Sequence, residues 1–227
     1  MPPNVFVDFD GTITEIDTLV FLLDRYCGDS WRQIEDRVEA GTLSEERGLR
    51  DEIALLSVPW AEAVASVLAE VGVDPGFAAF TAWCRDRGWP LEILSGGLAP
   101  LIRAVLAREG LDRLALRAND LAFDEDGRWR VVPAASPRLR GLCNHCKSHW
   151  VQAARDGGAR VVYIGDGTTD RCPAERADLV FAKGALAGWC ASRGLHHVPF
   201  ARFDQVRDWL SGPAGAAWIA GAGAPEA

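Results

Sequence analysis

Residues 4–12 read NVFVDFDGT: a short apolar run broken by Asp8 and Asp10, then by Gly11 and Thr12. Apolar side chains on both faces of so short a run predict a strand from Asn4 to Phe9 that is covered on both sides. The turn residues fall where the apolar pattern stops. Asp8 and Asp10 are two positions apart, so the pleat points both to one face at the strand's C-terminal end. In open α/β sheets that edge receives ligands. Two carboxylates this close repel each other unless a cation neutralises them or one keeps a proton, and their pairing suggests Mg²⁺. Taken alone, the pair also reads as solvated turn acids.

A second stretch, VVYIGDGTTD at residues 161–170, repeats the arrangement. Asp166 follows an apolar strand and a glycine turn, and Asp170 comes one helical turn later. Two separate strands thus deliver acids to one sheet edge, as a hard-cation site of oxygen ligands requires. Between them, PLEILSGG at residues 90–97 predicts a strand that ends in a turn. Ser95 and Gly96 would then stand at the head of the helix LAPLIRAVLAREG, where backbone N–H groups and a hydroxyl can hold phosphate oxygens. Lys147 opens the helical stretch KSHWVQAARDGG. The chain carries a formal net charge of -8, so a phosphate site needs such a local cation.

Outward from these motifs, residues 18–80 are helical in pattern. LVFLLDRY, SWRQIEDRVEAG, SEERGLRDEIALL and WAEAVASVLAEVG space apolar residues by three and four, predicting about four helices. Ser44 and Ser57 mark starts; Gly41, Gly72 and Gly76 mark stops. The helix FAAFTAWCRDRG follows. LALRANDLAFDEDGRWRVVP alternates about a turn and predicts a β-hairpin, while ADLVFAKG and HHVPF predict two more strands. Strands alternating with helices imply an α/β fold, a doubly wound parallel-sheet Rossmann-like core with an inserted small α-helical cap domain. The expected boundaries are 1–16 and 82–227 for the core and 17–81 for the cap, with hinges near Asp17 and at Phe80 to Trp83. The tail beyond about Gly212 is expected to fray unless Trp218 anchors it.

With 227 residues and 48% hydrophobic content the chain can bury a sizeable interior. Its acidic balance recommends neither nucleic acid nor acidic membranes as partners. The first residues lack a secretory pattern and no apolar run approaches a bilayer's width, so a cytoplasmic location with reduced cysteines is expected. Cys143, His145, Cys146 and His149, with Cys172, offer zinc-type ligands, but a single Cys-x-x-Cys is weak support. Packed or rim-exposed thiols are the competing reading.

The ordered set DFDGT, LSGG, Lys147 before a helix and GDGTTD resembles the four signature motifs of haloacid dehalogenase-type phosphatases, over nearly the whole chain. The helical insertion resembles the small cap of the phosphoserine phosphatase-like branch. DFDGTIT, ANDLAF with GRWRVVP, CNHCK and DLVFAKGALAGWC most resemble the methionine-salvage enolphosphatases, which act on 2-hydroxy-3-keto-5-methylthiopentenyl-1-phosphate. GDGxxDxCP is also similar to phosphoethanolamine/phosphocholine phosphatases.

The resemblance implies a Mg²⁺-dependent hydrolase of small phosphate monoesters, a monomer or homodimer. Asp8 would be the nucleophile and Asp10 the general acid and base. Asp8, Asp166 and the Asp10 carbonyl would bind the metal, supported by Asp170. Ser95, Gly96 and Lys147 would hold the phosphoryl oxygens, and Thr12 would support the loop. Asp17 stands where phosphoserine phosphatases place an acid facing the substrate amine; as a residue before a helix it reads equally as an N-cap. Leu49, Arg50, Asp51 and Glu52 stand where those enzymes carry a Leu-Arg-x-Arg pattern for the substrate carboxylate, and Glu52 would repel that group. Phosphotransfer to an alcohol and a non-enzymatic phospho-acceptor module are the alternatives. The second is disfavoured because Asp10, placed for proton transfer, would shorten the life of a phosphorylated state.

Overall fold

The computed structural model describes residues 2–134 and 145–221. The sheet forms from β1 (Asn4–Val7), β2 (Leu91–Leu98), β3 (Ala115–Phe123), β4 (Trp129–Val132), β5 (Val161–Gly165), β6 (Leu179–Ala182) and β7 (Val198–Pro199). Its order is β4-β3-β2-β1-β5-β6-β7, parallel throughout except for β4, which pairs antiparallel with β3. β1 lies between β2 and β5, with Val5 opposite both Leu91 and Val162. The C-terminal ends of these three strands are therefore neighbours. Val5, Val7, Val162, Tyr163 and Ile164 are fully buried, as strands covered by helices on both faces must be. The predicted hairpin is β3–β4, and it forms one edge of this sheet.

Between β1 and β2 come α1 (Thr18–Tyr26), α2 (Arg32–Glu39), α3 (Glu45–Ile53), α4 (Trp60–Glu70) and α5 (Phe77–Asp86). Their starts follow local chemistry. Asp17 caps α1 by accepting from the N–H groups of Leu19 and Val20, and Ser44 caps α3 by accepting from Arg47. α4 begins at Trp60 after Pro59, where a fixed φ suits a helix start. Gly76 opens α5 rather than ending α4. The chain leaves β1 and returns from α4 through two adjacent segments joined by an antiparallel bridge, Thr14 to Val73. Backbone bonds flank it, from Glu15 to Gly72 at 3.0 Å and from Asp74 to Ile13 at 2.9 Å. Beyond that bridge, Phe77 and Phe80 of α5 pack on Phe203, with ring centroids at 4.9 and 5.4 Å.

The remaining helices are α6 (Ala99–Arg108), α7 (Lys147–Asp156), α8 (Arg171–Ala174), α9 (Gly184–Arg193), α10 (Phe203–Ser211) and α11 (Pro213–Ile219). Residues 213–219, expected to fray unless Trp218 anchors them, form α11: Trp218 is buried and lies under the Arg160 guanidinium at 3.6 Å. Arg160 also donates to the Trp218 carbonyl. The helical insertion meets the hairpin at Trp129. Its indole N–H donates to the Val58 carbonyl at 3.0 Å, and its ring meets Trp60 edge-on at 5.3 Å. Trp60 is thus a packing residue at that seam. Among the described residues no helix is long and apolar enough to cross a membrane.

Candidate active site

The chain leaves the sheet at Asp8, whose N–H still donates to Ile164 at 2.9 Å. The strand is one pleat shorter than the apolar pattern predicts, so Asp10 is placed by the turn that follows it. The two carboxylates consequently take different partners. Asp8 is buried, and one of its oxygens lies 2.6 Å from the Lys147 ammonium. Asp10 accepts from both the backbone N–H and the hydroxyl of Thr18, at 2.9 and 2.6 Å. Its other oxygen faces the Ser95 hydroxyl at 3.4 Å.

Lys147 opens α7 and is itself only 3% exposed. It bridges Asp8 and Asp170, the latter at 2.7 Å, and reaches the Thr169 hydroxyl at 3.3 Å. Asp170 is fully buried and receives the Tyr163 hydroxyl at 2.6 Å together with the N–H groups of Asp166 and Gly167, both at 3.0 Å. Asp166 accepts the Thr12 hydroxyl at 2.6 Å. Thr12 thus ties the first turn to the second acidic loop. Lys183, at the end of β6, donates to the Thr12 carbonyl at 3.1 Å.

Carboxylate oxygens of Asp8, Asp166 and Asp170 lie within 4.8 Å of one another, the one such cluster among the described residues. Burial pushes the Asp8 carboxyl well up, and the Asp170 charge adds to this while Lys147 opposes it. Burial raises Asp166 as well, against the Thr12 hydrogen bond. Burial would also raise Asp170, but Lys147, Tyr163 and the Gly167 N–H hold it below its ordinary value. Burial alone would lower Lys147, yet Asp170 and Asp8 keep its ammonium above the usual range. Three carboxyls thus crowd about a single lysine, a donor set suited to a divalent cation with oxygen ligands. Desolvation raises Asp10, although the Thr18 bonds work against it.

Close approach of backbone makes this crowding possible. Gly11 has φ of 71°, and a Cβ there would stand 2.6 Å from an Asp166 oxygen. At Gly97 a Cβ would stand 2.7 Å from Asp10.

The expectation that Ser95 and Gly96 head a helix is corrected. β2 runs on through Leu98 with a register shift after Leu94, and α6 starts only at Ala99. Ser95 is held within the strand, its hydroxyl accepting the Gly97 N–H at 2.9 Å, while the Gly96 carbonyl accepts from the Asn119 amide at 2.7 Å. Asp17 caps α1, and burial with the nearby Asp10 charge raises its carboxyl to about 7.

Thr18, Tyr163, Lys183 and Asn119 escaped the sequence reading. A polar residue just past an otherwise apolar strand was the available signal for Lys183, and a hydroxyl in the middle of the apolar strand β5 was the signal for Tyr163. Of the suggested zinc ligands, Cys143 lies outside the described residues. His149 packs edge-on against Trp150, and neither Cys146 nor Cys172 joins a cluster with metal spacing among the described residues.

Known proteins are similar to this chain along most of its length. The 2-hydroxy-3-keto-5-methylthiopentenyl-1-phosphate phosphatase of Microcystis aeruginosa is 32% identical over 213 residues, covering 92% of this chain and 98% of the relative. The protein of that name from Geobacillus kaustophilus is 33% identical, covering 91% and 94%. The polyol phosphate phosphatase of Saccharomyces cerevisiae is 26% identical, covering 91% and 90%. Among solved structures, a phospho-aspartyl intermediate analogue of phosphoserine phosphatase superposes with TM-score 0.68 at 20% identity, covering 92% of this chain and 98% of that one. Residues 5–175 match the haloacid dehalogenase-like hydrolase family, and the chain belongs to it.

Proposed function

We propose that the chain is a phosphatase that hydrolyses a small phosphate monoester through an aspartyl-phosphate on Asp8. The observation that carries this is Lys147, buried and shared between Asp8 and Asp170, whose oxygens lie within 4.8 Å of each other and of an Asp166 oxygen. Asp8, Asp166 and the Asp10 carbonyl would hold Mg²⁺, and Asp170 would support them. When bound, the ion supplies positive charge that ionises Asp8 and offsets charge on the phosphoryl oxygens.

An Asp8 oxygen attacks phosphorus while Asp10 protonates the departing oxygen. Asp10, now ionised, takes a proton from the water that cleaves the acyl phosphate and regenerates Asp8. Lys147, the Ser95 hydroxyl and the Gly96 backbone hold phosphoryl oxygens as charge builds. Thr12 fixes the position of Asp166. The helices of residues 17–81 act as a cap that shields the intermediate, with Asp17 at its start.

The enol phosphate 2-hydroxy-3-keto-5-methylthiopentenyl-1-phosphate is the leading substrate, because relatives matching nearly end to end carry that name. Assay of that ester beside phosphoserine, phosphocholine and phosphoethanolamine tests the reading. Mg²⁺-dependent phosphate release, greatest with the enol ester and abolished in Asp8→Asn, is the expected result. Release that persists in Asp8→Asn would overturn the mechanism, and preference for another ester would overturn the substrate.

A further inference from the structure

β2 and β3 pair in register up to Leu94 opposite Arg117 and again at Leu98 opposite Asn119, so β2 advances four residues where β3 advances two. The bulge so formed contains Ser95, Gly96 and Gly97, and bulges re-aim side chains beside active sites. Backbone groups within a bulge lose their ladder partners and need others. Asn119, 1% exposed, supplies one. Its amide nitrogen donates to the Gly96 carbonyl at 2.7 Å, and its amide oxygen accepts the Ala134 N–H at 2.9 Å. A carbonyl only accepts and an N–H only donates, so these partners fix which end of the amide faces which. The Gly96 carbonyl and the Gly97 N–H belong to one planar trans peptide and point opposite ways. With the carbonyl held by Asn119, the N–H is turned onto the Ser95 hydroxyl oxygen at 2.9 Å. That hydroxyl must send its one proton elsewhere, and it faces Asp10 at 3.4 Å.

We propose that Asn119 is a positioning residue for phosphoryl transfer: by holding the Gly96–Gly97 peptide it makes the Ser95 hydroxyl an obligate donor toward the substrate. The inference rests on the phosphatase reading, in which Ser95 holds a phosphoryl oxygen, and adds to it a residue that acts only through Ser95. At 3.4 Å the bond to Asp10 is long, so a phosphoryl oxygen can take the place of Asp10 as acceptor. Released from Asn119, the peptide can turn its N–H away, and the Ser95 proton loses its fixed direction. A hydroxyl aimed beforehand needs no rotation as negative charge builds, and the gain appears in the transition state more than in binding.

The test is a double-mutant cycle on the full chain with Mg²⁺ and p-nitrophenyl phosphate. Asn119→Asp keeps an oxygen for the Ala134 N–H but sets a second oxygen, in place of the amide donor, against the Gly96 carbonyl. It should lower kcat about tenfold, the worth of one aligned hydrogen bond, and move KM less. In a Ser95→Ala chain, itself slower than the parent, the same substitution should change kcat by less than about twofold, because the hydroxyl it acts through is gone. Ala134→Pro frees the other end of the amide without a substitution in the core, so it carries the same cycle if Asn119→Asp fails to fold. Its loss should be about threefold in the parent and vanish in the Ser95→Ala chain. For a variant that melts like the parent, an equal loss in both backgrounds overturns the inference, since a merely structural role adds to Ser95→Ala. A folded variant with no loss in the parent background, or a Ser95→Ala chain as fast as the parent, overturns it as well. A parent inactive on p-nitrophenyl phosphate would instead sink the phosphatase reading itself.

Discussion

Asp170 accepts from Lys147, Tyr163 and two backbone N–H groups. So saturated, it serves as a fixed anion that aims Lys147 at Asp8. Tyr163→Phe removes one charge-assisted bond without opening a cavity, and should cost about 1.5–3 kcal/mol of stability. Turnover should fall with kcat more than KM, since the substrate is not touched; steady-state kinetics and a denaturant melt check this. Glu52 carries a pH signature of its own. Below its ordinary value of 4.5 the proton is on in folded and unfolded chains alike. From there up to about 8 the unfolded chain ionises while the folded one keeps its proton beside Glu35, Asp17 and Asp51, so stability declines across that window. Glu52→Gln should remove that decline, gaining on the order of 1–3 kcal/mol at pH 8 and nothing near pH 4.5 in melts at the two values.

At the scale of elements, the paired acids were legible because strand ends mark themselves: apolarity stops and glycine follows, as at Asp8 and at Asp166. The Ser95 stretch misled for the same reason. Ser-Gly-Gly has the composition of a turn, but pairing with β3 and the Asn119 amide hold it in the sheet. Tertiary partners of that kind leave no local trace, and Asn119 is distant in sequence from the glycine whose carbonyl it binds. For α11 the anchor Trp218 was legible, but its partner Arg160, a residue of another segment, was not. The first turn offers a direct check. Gly11→Ala places a Cβ 2.6 Å from an Asp166 oxygen at φ of 71°, and should cost at least about 1 kcal/mol. It should also weaken Mg²⁺ activation severalfold, read from activity against metal concentration.

For the whole molecule, Asp8, Asp10, Asp166 and Asp170 gather where β1, β2 and β5 end together. Relief of that repulsion by a cation should be visible in global stability. At a hundredfold excess over its Kd, Mg²⁺ should add about 2.7 kcal/mol, or roughly 5–10 °C in Tm for a chain of this length. Calorimetry with Mg²⁺ and with chelator checks this, and Asp166→Asn should lose most of the increment. The seam between helical insertion and hairpin has an optical consequence. Trp60 and Trp129 touch across it at 5.3 Å, so any parting of the two wets an indole that contact now keeps partly dry. Emission should then shift to longer wavelength, and Trp60→Phe should mute the shift. The molecule thus carries an intrinsic dye placed where its two halves would separate.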